Sequence, residues 1–121
     1  MKHNESLEDY LEAILIIGEK KPVVRSVDIA NELGYKKSSI SVAVKNMKER
    51  DYIEVSEEGY ITLTKTGKKL AKSVYERHQF FRAWLTEIGV DHEIADMDAC
   101  SMEHVVSEET FKAIRKYVEE K

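Results

Sequence analysis

Leu7, Leu11, Ile14, Leu15 and Ile17 fall on one stripe at a helical period. They predict an amphipathic helix over 5–19 with Ser6 as its N-cap, closed off by Gly18 and Pro22. A second helix starts at Ser26 and runs from Val27 to Leu33, with Asp28 in its first turn and Gly34 stopping it as a C′ glycine. A third is expected to be capped by Ser38 or Ser39 and to run to about Glu49. It buries Ile40, Val44 and Met47 and leaves Lys36, Lys37, Ser38, Ser39, Ser41, Val42, Lys45 and Lys48 for solvent or a ligand. The period then changes from helical to alternating. Tyr52-Ile53-Glu54-Val55 and Tyr60-Ile61-Thr62-Leu63 predict two strands, and Ser56-Glu57-Glu58-Gly59 between them predicts a hairpin loop. Two short helices joined by a Gly-containing turn match a helix-turn-helix, and a hairpin straight after it is a wing. Thr64-Lys65-Thr66-Gly67 leads into a long helix over about 65–88, basic in its first half and aromatic (Phe80, Phe81, Trp84) in its second. Gly89-Val90-Asp91 breaks the chain, and a helix over about 92–105 follows. Ser107 to Thr110 cap a last helix over about 108–120 with an apolar face of Phe111, Ile114 and Val118. The fold class is therefore mainly α with a small β-hairpin, an N-terminal winged helix-turn-helix at 1–66 followed by a helical domain at 67–121.

Composition narrows the possibilities. A chain of 121 residues, 42% hydrophobic and 35% charged, makes one domain or two small lobes. No apolar run approaches the roughly 20 residues that a membrane span needs, and the charged N-terminus lacks a signal-peptide core. The single cysteine, Cys100, cannot form an internal disulfide, which fits a reducing cytoplasm. The net charge of -4 conceals segregation: residues 20–50 and 64–82 are each net +5, while 1–19, 51–63 and 83–121 are net -4, -4 and -6. Two basic blocks in an acidic chain suggest a localised polyanion-binding face, although ordinary solvated helix faces would give the same pattern. The aromatic half of the long helix is too apolar for solvent and is either core or a subunit interface, with an interface that shares the core expected.

The stretch Asp98-Ala99-Cys100-Ser101-Met102-Glu103-His104 carries candidate metal chemistry. On a helix, Cys100 shares a face with Glu103 at i,i+3 and with His104 at i,i+4, with Cβ atoms about 5–6 Å apart. Thiolate, carboxylate and imidazole together suit a transition-metal ion. Taken alone, the pattern is better explained as a surface carboxylate, a partly buried histidine and a small apolar cysteine. Asp9 and Glu12 are likewise ordinary first-turn acids by themselves, and His78 an ordinary mid-helix histidine.

Four stretches change that balance. Glu8-Asp9-Tyr10-Leu11-Glu12, Ser38-Ser39-Ile40-Ser41, Arg77-His78 and Asp98 through Ser107 occur in an order and setting that resembles the diphtheria-toxin-repressor and manganese-repressor family (DtxR/MntR) of metal-dependent transcriptional repressors. The resemblance runs from about residue 6 to residue 110. It implies a metal site made by Asp9 and Glu12 of the first helix, His78 of the long helix, and Cys100, Glu103 and His104 of the fifth. Cys100 stands where manganese-type members have glutamate. Iron-type members have cysteine there, but methionine where this chain has Asp9, and Arg82 and Asp96 stand where two of their ancillary ligands, a Glu and a His, would be expected. The set is thus a hybrid, and the chain length implies that the further C-terminal domain of the iron-type proteins is lacking.

Asp, Glu and neutral imidazole suit Mn²⁺ and Fe²⁺, and a thiolate raises the ranking of Fe²⁺, Co²⁺ and Zn²⁺. Cys100 either ligates or only lines the site. The expected function is a repressor, not an enzyme, that binds operator DNA as a homodimer when loaded with Mn²⁺ or Fe²⁺. The third helix is expected to enter the major groove with Lys36, Lys37, Ser38, Ser39, Ser41 and Val42 as contact candidates, and Lys45 and the Lys65–Lys72 block adding backbone contacts. The competing reading is a winged-helix regulator controlled by a small organic ligand. A metalloenzyme or cysteine hydrolase built on Cys100 and His104 has no Gly-rich loop or clustered triad to support it.

Overall fold

The computed structural model of the chain describes residues 5–120, with side chains from Leu7 onward. The elements in order are α1 (Glu5–Lys20), α2 (Ser26–Leu33), α3 (Lys37–Glu49), β1 (Ile53–Val55), β2 (Ile61–Leu63), α4 (Lys65–Glu87), α5 (His92–Val105) and α6 (Glu108–Glu119). The chain divides into two compact units, one ending at Lys72 and one beginning at Ser73, so the division falls within α4. The six helices and the hairpin are those the hydrophobic pattern predicts.

In the first unit the apolar stripe of α1 (Leu11, Ile14 and Ile17) meets Ile29 of α2, Ile40, Ala43 and Met47 of α3, and one inward residue from each strand, Ile53 and Ile61. The hairpin is antiparallel with Ile53 opposite Leu63 and Val55 opposite Ile61. The Ile61 N–H donates to Val24 O at 2.7 Å, so the loop after α1 lies along the free edge of β2. That edge is therefore covered rather than left as a template for another strand. Tyr60, at the foot of the wing, stacks under the Arg25 guanidinium, 5.0 Å from ring centroid.

One expected cap is corrected. The N-cap of α3 is Lys36, whose extended backbone (φ -71°, ψ 151°) precedes the helix without a side-chain cap. Ser38 and Ser39 lie inside the first turn and are exposed. The N-cap of α2 is Arg25, one residue before Ser26, and its N–H donates to the Asp28 carboxylate at 2.9 Å. The proposed Ser6 cap lies outside the described side chains. Gly34 does close α2, at φ 72°, with its N–H on Ala30 O. Gly67 has a different role. A Cβ there would run into the Tyr52 carbonyl, at 2.8 Å from its carbon, so only glycine lets the first turn of α4 lie this close to the chain entering the wing. Thr64 ties the same point together: its hydroxyl donates to Asp51 O at 2.7 Å and accepts from Gly67 N at 3.0 Å.

The second unit is three helices around an aromatic cluster. Phe81 is fully enclosed by Ala99 of α5 and Phe111 of α6, with Phe80, Trp84, Met102, Val106 and Ile114 at the margin. Phe81 meets both Phe80 and Phe111 edge-on at 5.6 Å between centroids, an arrangement that aromatic quadrupoles favour. Phe81 therefore belongs to the core of its own unit, and Phe80, Trp84 and Leu85 remain at its edge. Asp91 caps α5 by accepting from Glu93 N, and Ser107 caps α6 by accepting from Thr110 N at 3.1 Å. None of the described helices is long and apolar enough to cross a membrane.

Candidate metal centre and nucleic-acid face

Helix α5 lacks the usual amphipathic division, because its inward face ends in polar side chains. Glu103 is fully buried and His104 nearly so, while Cys100, one turn earlier, is exposed. Taking a carboxylate out of water costs several kcal/mol unless positive charge or donors compensate. Two imidazoles surround this one. His78 Nδ1, from α4, and His104 Nε2 each lie 3.5 Å from the same Glu103 Oε1. The ligand atoms of Cys100, Glu103 and His104 lie within 4.8 Å of one another, as do those of His78 and Glu103. Ligand atoms bound at 2.0–2.2 Å to one ion sit about 3–3.5 Å apart. The two histidines belong to separate groups that share Glu103, and in each the imidazole nitrogen and the carboxylate oxygen at that separation suit a divalent transition metal, with the thiol in the His104 group.

Arg77 fixes the backbone beneath these donors. Its Nη1 donates to Glu103 O at 3.0 Å and to Val106 O at 2.8 Å, satisfying carbonyls that the end of α5 leaves open. Its guanidinium also lies 5.9 Å from the Phe111 ring centroid. In the sequence Arg77 is marked only by its place directly before the candidate ligand His78.

Asp9 and Glu12 lie in the first unit, half-buried and three residues apart on α1. That spacing puts both carboxylates on one helix face. Tyr10 between them is buried, and burial, followed by the neighbouring Tyr35 and Asp9, pushes its phenol pKa up, so it stays a neutral donor. Of the six residues assigned to metal, the second unit thus gathers His78, Cys100, Glu103 and His104, and α1 presents Asp9 and Glu12.

The nucleic-acid candidates all lie on α3 or at its start, and all are exposed: Lys36, Lys37, Ser38, Ser39, Ser41, Val42 and Lys45. Val42 is 61% exposed although it is the sort of residue a core would take. The first turn of α3 holds no acid, so the positive end of the helix dipole and the lysines together make a positive surface of the kind that suits a phosphate. An exposed valine beside serines is suited to a thymine methyl at a base edge.

Comparison with known proteins gives a consistent result. Residues 2–61 match the family described as iron dependent repressor, N-terminal DNA binding domain. Residues 64–120 match iron dependent repressor, metal binding and dimerisation domain. The chain is 36% identical over 115 residues to the transcriptional regulator MntR of Escherichia coli O6:H1, covering 95% of this chain and 74% of that protein. Among solved structures it resembles the manganese regulator SloR, with a TM-score of 0.83 at 25% identity over 98% of this chain. It also resembles a manganese-dependent transcriptional repressor in complex with manganese, with a TM-score of 0.83 at 25% identity over 92% of this chain. The chain spans about half the length of those two solved chains, 55% and 51%.

Proposed function

The chain belongs to the MntR-type family of metal-dependent transcriptional repressors, and we propose that it acts as one, binding operator DNA as a homodimer when loaded with Mn²⁺ or Fe²⁺. Membership favours this reading over control by a small organic ligand. The observation that carries it is the convergence of His78 Nδ1 and His104 Nε2 on one oxygen of the buried Glu103. His78 and His104 serve as neutral imidazole ligands and Glu103 as an oxygen ligand, with Cys100 as a thiolate. Asp9 and Glu12 of α1 contribute the remaining oxygen donors. A bound divalent ion would supply positive charge that its carboxylate ligands share, and the six side chains can serve one ion or a pair sharing bridging carboxylates.

The regulatory consequence follows from linkage. If the loaded arrangement is the one that fits DNA, metal raises DNA affinity and DNA raises metal affinity by the same factor, ordinarily a coupling of about 1–3 kcal/mol. Without metal, Asp9, Glu12 and Glu103 repel one another and the DNA-competent arrangement is less populated. In a two-fold dimer the two α3 helices enter successive major grooves about 34 Å apart, or a multiple of that. Phe80, Trp84 and Leu85 at the edge of the aromatic cluster, with the last two helices, build the dimer. Lys36, Lys37 and Lys45, with the Lys65–Lys72 block, neutralise phosphates, and Ser41 and Val42 reach base edges. The acidic Glu57-Glu58 tip of the wing stays off the backbone. A protein with this partner works in the cytoplasm and is a regulator, not an enzyme.

The test uses a duplex selected from a random-sequence library by the Mn²⁺-loaded protein. Affinity for that duplex is measured with chelator and with added Mn²⁺ or Fe²⁺ at matched salt, and His104→Ala is expected to abolish the metal response. Equal affinity with and without metal would refute the switch.

A further inference from the structure

Beyond His78, on the side of its ring away from Glu103, lies a polar chain that the metal site does not use. His78 Nε2 and Asp96 Oδ1 are 3.0 Å apart, Arg82 Nε is 3.5 Å from the same Oδ1, and Arg82 Nη2 is 2.9 Å from His92 Nε2. Helix geometry explains the alignment. Asp96, Cys100 and Glu103 follow one another at i, i+4 and i+7 on α5, with His92 one turn before Asp96, and His78 and Arg82 are i,i+4 neighbours on α4. Two side-chain rows therefore meet in register.

The proton positions in this chain follow from what each group can do. An ionised carboxylate only accepts and a guanidinium only donates. His78 Nε2 must therefore carry the proton it gives to Asp96. In the neutral ring, Nδ1 is then the nitrogen with the lone pair, and it is Nδ1 that lies 3.5 Å from Glu103 Oε1. By the same rule His92 Nε2 accepts from Arg82. Arg82 thus anchors two groups at once, and Asp96 is held between a guanidinium and an imidazole.

We propose that Asp96 is a positioning residue for the metal centre: it fixes the Nε2–H tautomer and the ring plane of His78, so that Nδ1 is delivered as a ligand, and Arg82 holds Asp96 in place. This rests on the assignment of His78 as a metal ligand. The Asp96 and Arg82 side chains are 54% and 44% exposed, so their ion pair adds little to stability. Its effect is on geometry and ligand basicity, where a partner of a ligating histidine typically matters 10–100-fold in metal affinity.

The experiment has two arms on the full chain. In metal-free protein, long-range ¹⁵N–¹H correlations of the imidazoles, recorded above the ordinary histidine pKa, report the His78 tautomer. The wild type is expected to show Nε2–H, and Asp96→Ala a mixture with Nδ1–H. In the second arm, titration with Mn²⁺ should show affinity lowered about 10–100-fold by Asp96→Ala, and less by Asp96→Asn, whose amide oxygen still accepts. Thermal melting of the metal-free variants should match the wild type. An Nδ1–H tautomer in the wild type, or an Asp96→Ala affinity within about twofold of wild type, overturns the proposal. If Asp96→Ala binds Mn²⁺ normally while His104→Ala does not, the metal reading stands and only the positioning role fails. A wild type that binds no Mn²⁺ removes the metal reading and with it the positioning role.

Discussion

Replacing Gly67 by alanine should destabilise the protein although the site is helical. On propensity alone, Gly→Ala inside a helix is worth about 1 kcal/mol in favour of the variant. Here the new methyl meets backbone: the Tyr52 carbonyl oxygen lies closest, the carbonyl carbon is at 2.8 Å and Cα at 3.1 Å. Backbone cannot rotate aside as a flexible side chain can, so the first turn of α4 must move away. That motion strains the Thr64 N–H bond to Tyr52 O at 2.9 Å and the Thr64 hydroxyl bond to Asp51 O at 2.7 Å. Overpacking costs about 1–3 kcal/mol, and one or two weakened hydrogen bonds add about 1 kcal/mol each. Set against the propensity gain, the net loss is about 1–4 kcal/mol, centred on about 2–3 kcal/mol. For a unit of this size that lowers the melting temperature by on the order of 10–20 °C. Gly18 in α1 is the control, because the nearest atom to its added methyl is Val24 Cγ2 at 4.0 Å. Gly18→Ala should stabilise by up to about 1 kcal/mol. Urea unfolding followed by circular dichroism measures both. If Gly67→Ala is as stable as the wild type, the close approach of α4 to Tyr52 is refuted; if both variants are stabilised, propensity alone explains them.

The Lys21 ammonium bonded to Asp28, and then the Arg25 backbone N–H, hold the Asp28 carboxyl below the ordinary carboxylate range. A lowered folded pKa contributes stability that is complete above the unfolded value and is lost as pH falls through the folded one. Asp28→Ala should therefore destabilise near neutral pH and lose that effect in acid below the usual carboxylate pKa, as melting curves across pH would show; an effect that persists there removes the ion-pair explanation. Lys37→Ala should weaken binding to every duplex about equally and reduce the slope of log affinity against log salt by about 1; an unchanged slope means that Lys37 contacts no phosphate. If Cys100 ligates, Co²⁺-loaded protein should show a near-ultraviolet thiolate charge-transfer band that Cys100→Ser abolishes. A band that survives the substitution excludes Cys100 as its source.

Periodicity made the elements legible because each buries one face: the α1 stripe, the alternating strands and the Phe111 face of α6 all pack where their spacing put them. Caps were less legible. Serine is a strong prior for an N-cap, but the extended residue before α3 is Lys36, and Ser38 and Ser39 are left as surface groups. Asp91 does cap α5 and was seen only as part of a chain break. The need for Gly67 could not be seen at all, since it comes from the backbone of Tyr52, fifteen positions earlier. In the candidate centre, the i,i+3,i+4 spacing of Cys100, Glu103 and His104 signalled a shared face, whereas His78 and its place beside Glu103 came from resemblance, because spacing along one helix carries no information about its neighbour. Arg82 and Asp96 appeared in the sequence only as departures from an expected ligand set. Their pairing with each other and with His78 is a tertiary fact.

Burial divides the labour among these donors. Glu103 and His104 are enclosed, so changing either alters the folding of the unit as well as its affinity for metal. A buried carboxylate that meets an ion recovers its desolvation cost only while the ion is bound. If Glu103 ligates as proposed, metal binding and the stability of this unit are linked: a ligand that binds only the folded form stabilises it by an amount that grows with the logarithm of its concentration above Kd. Cys100 is exposed, and a different side chain there changes the softness of the donor set with little effect on packing. In the proposed site, then, the enclosed donors would provide the capacity to bind a divalent ion, and the exposed Cys100 would bias the preference among ions. That is the position at which this chain carries cysteine and the manganese-type pattern it resembles carries glutamate.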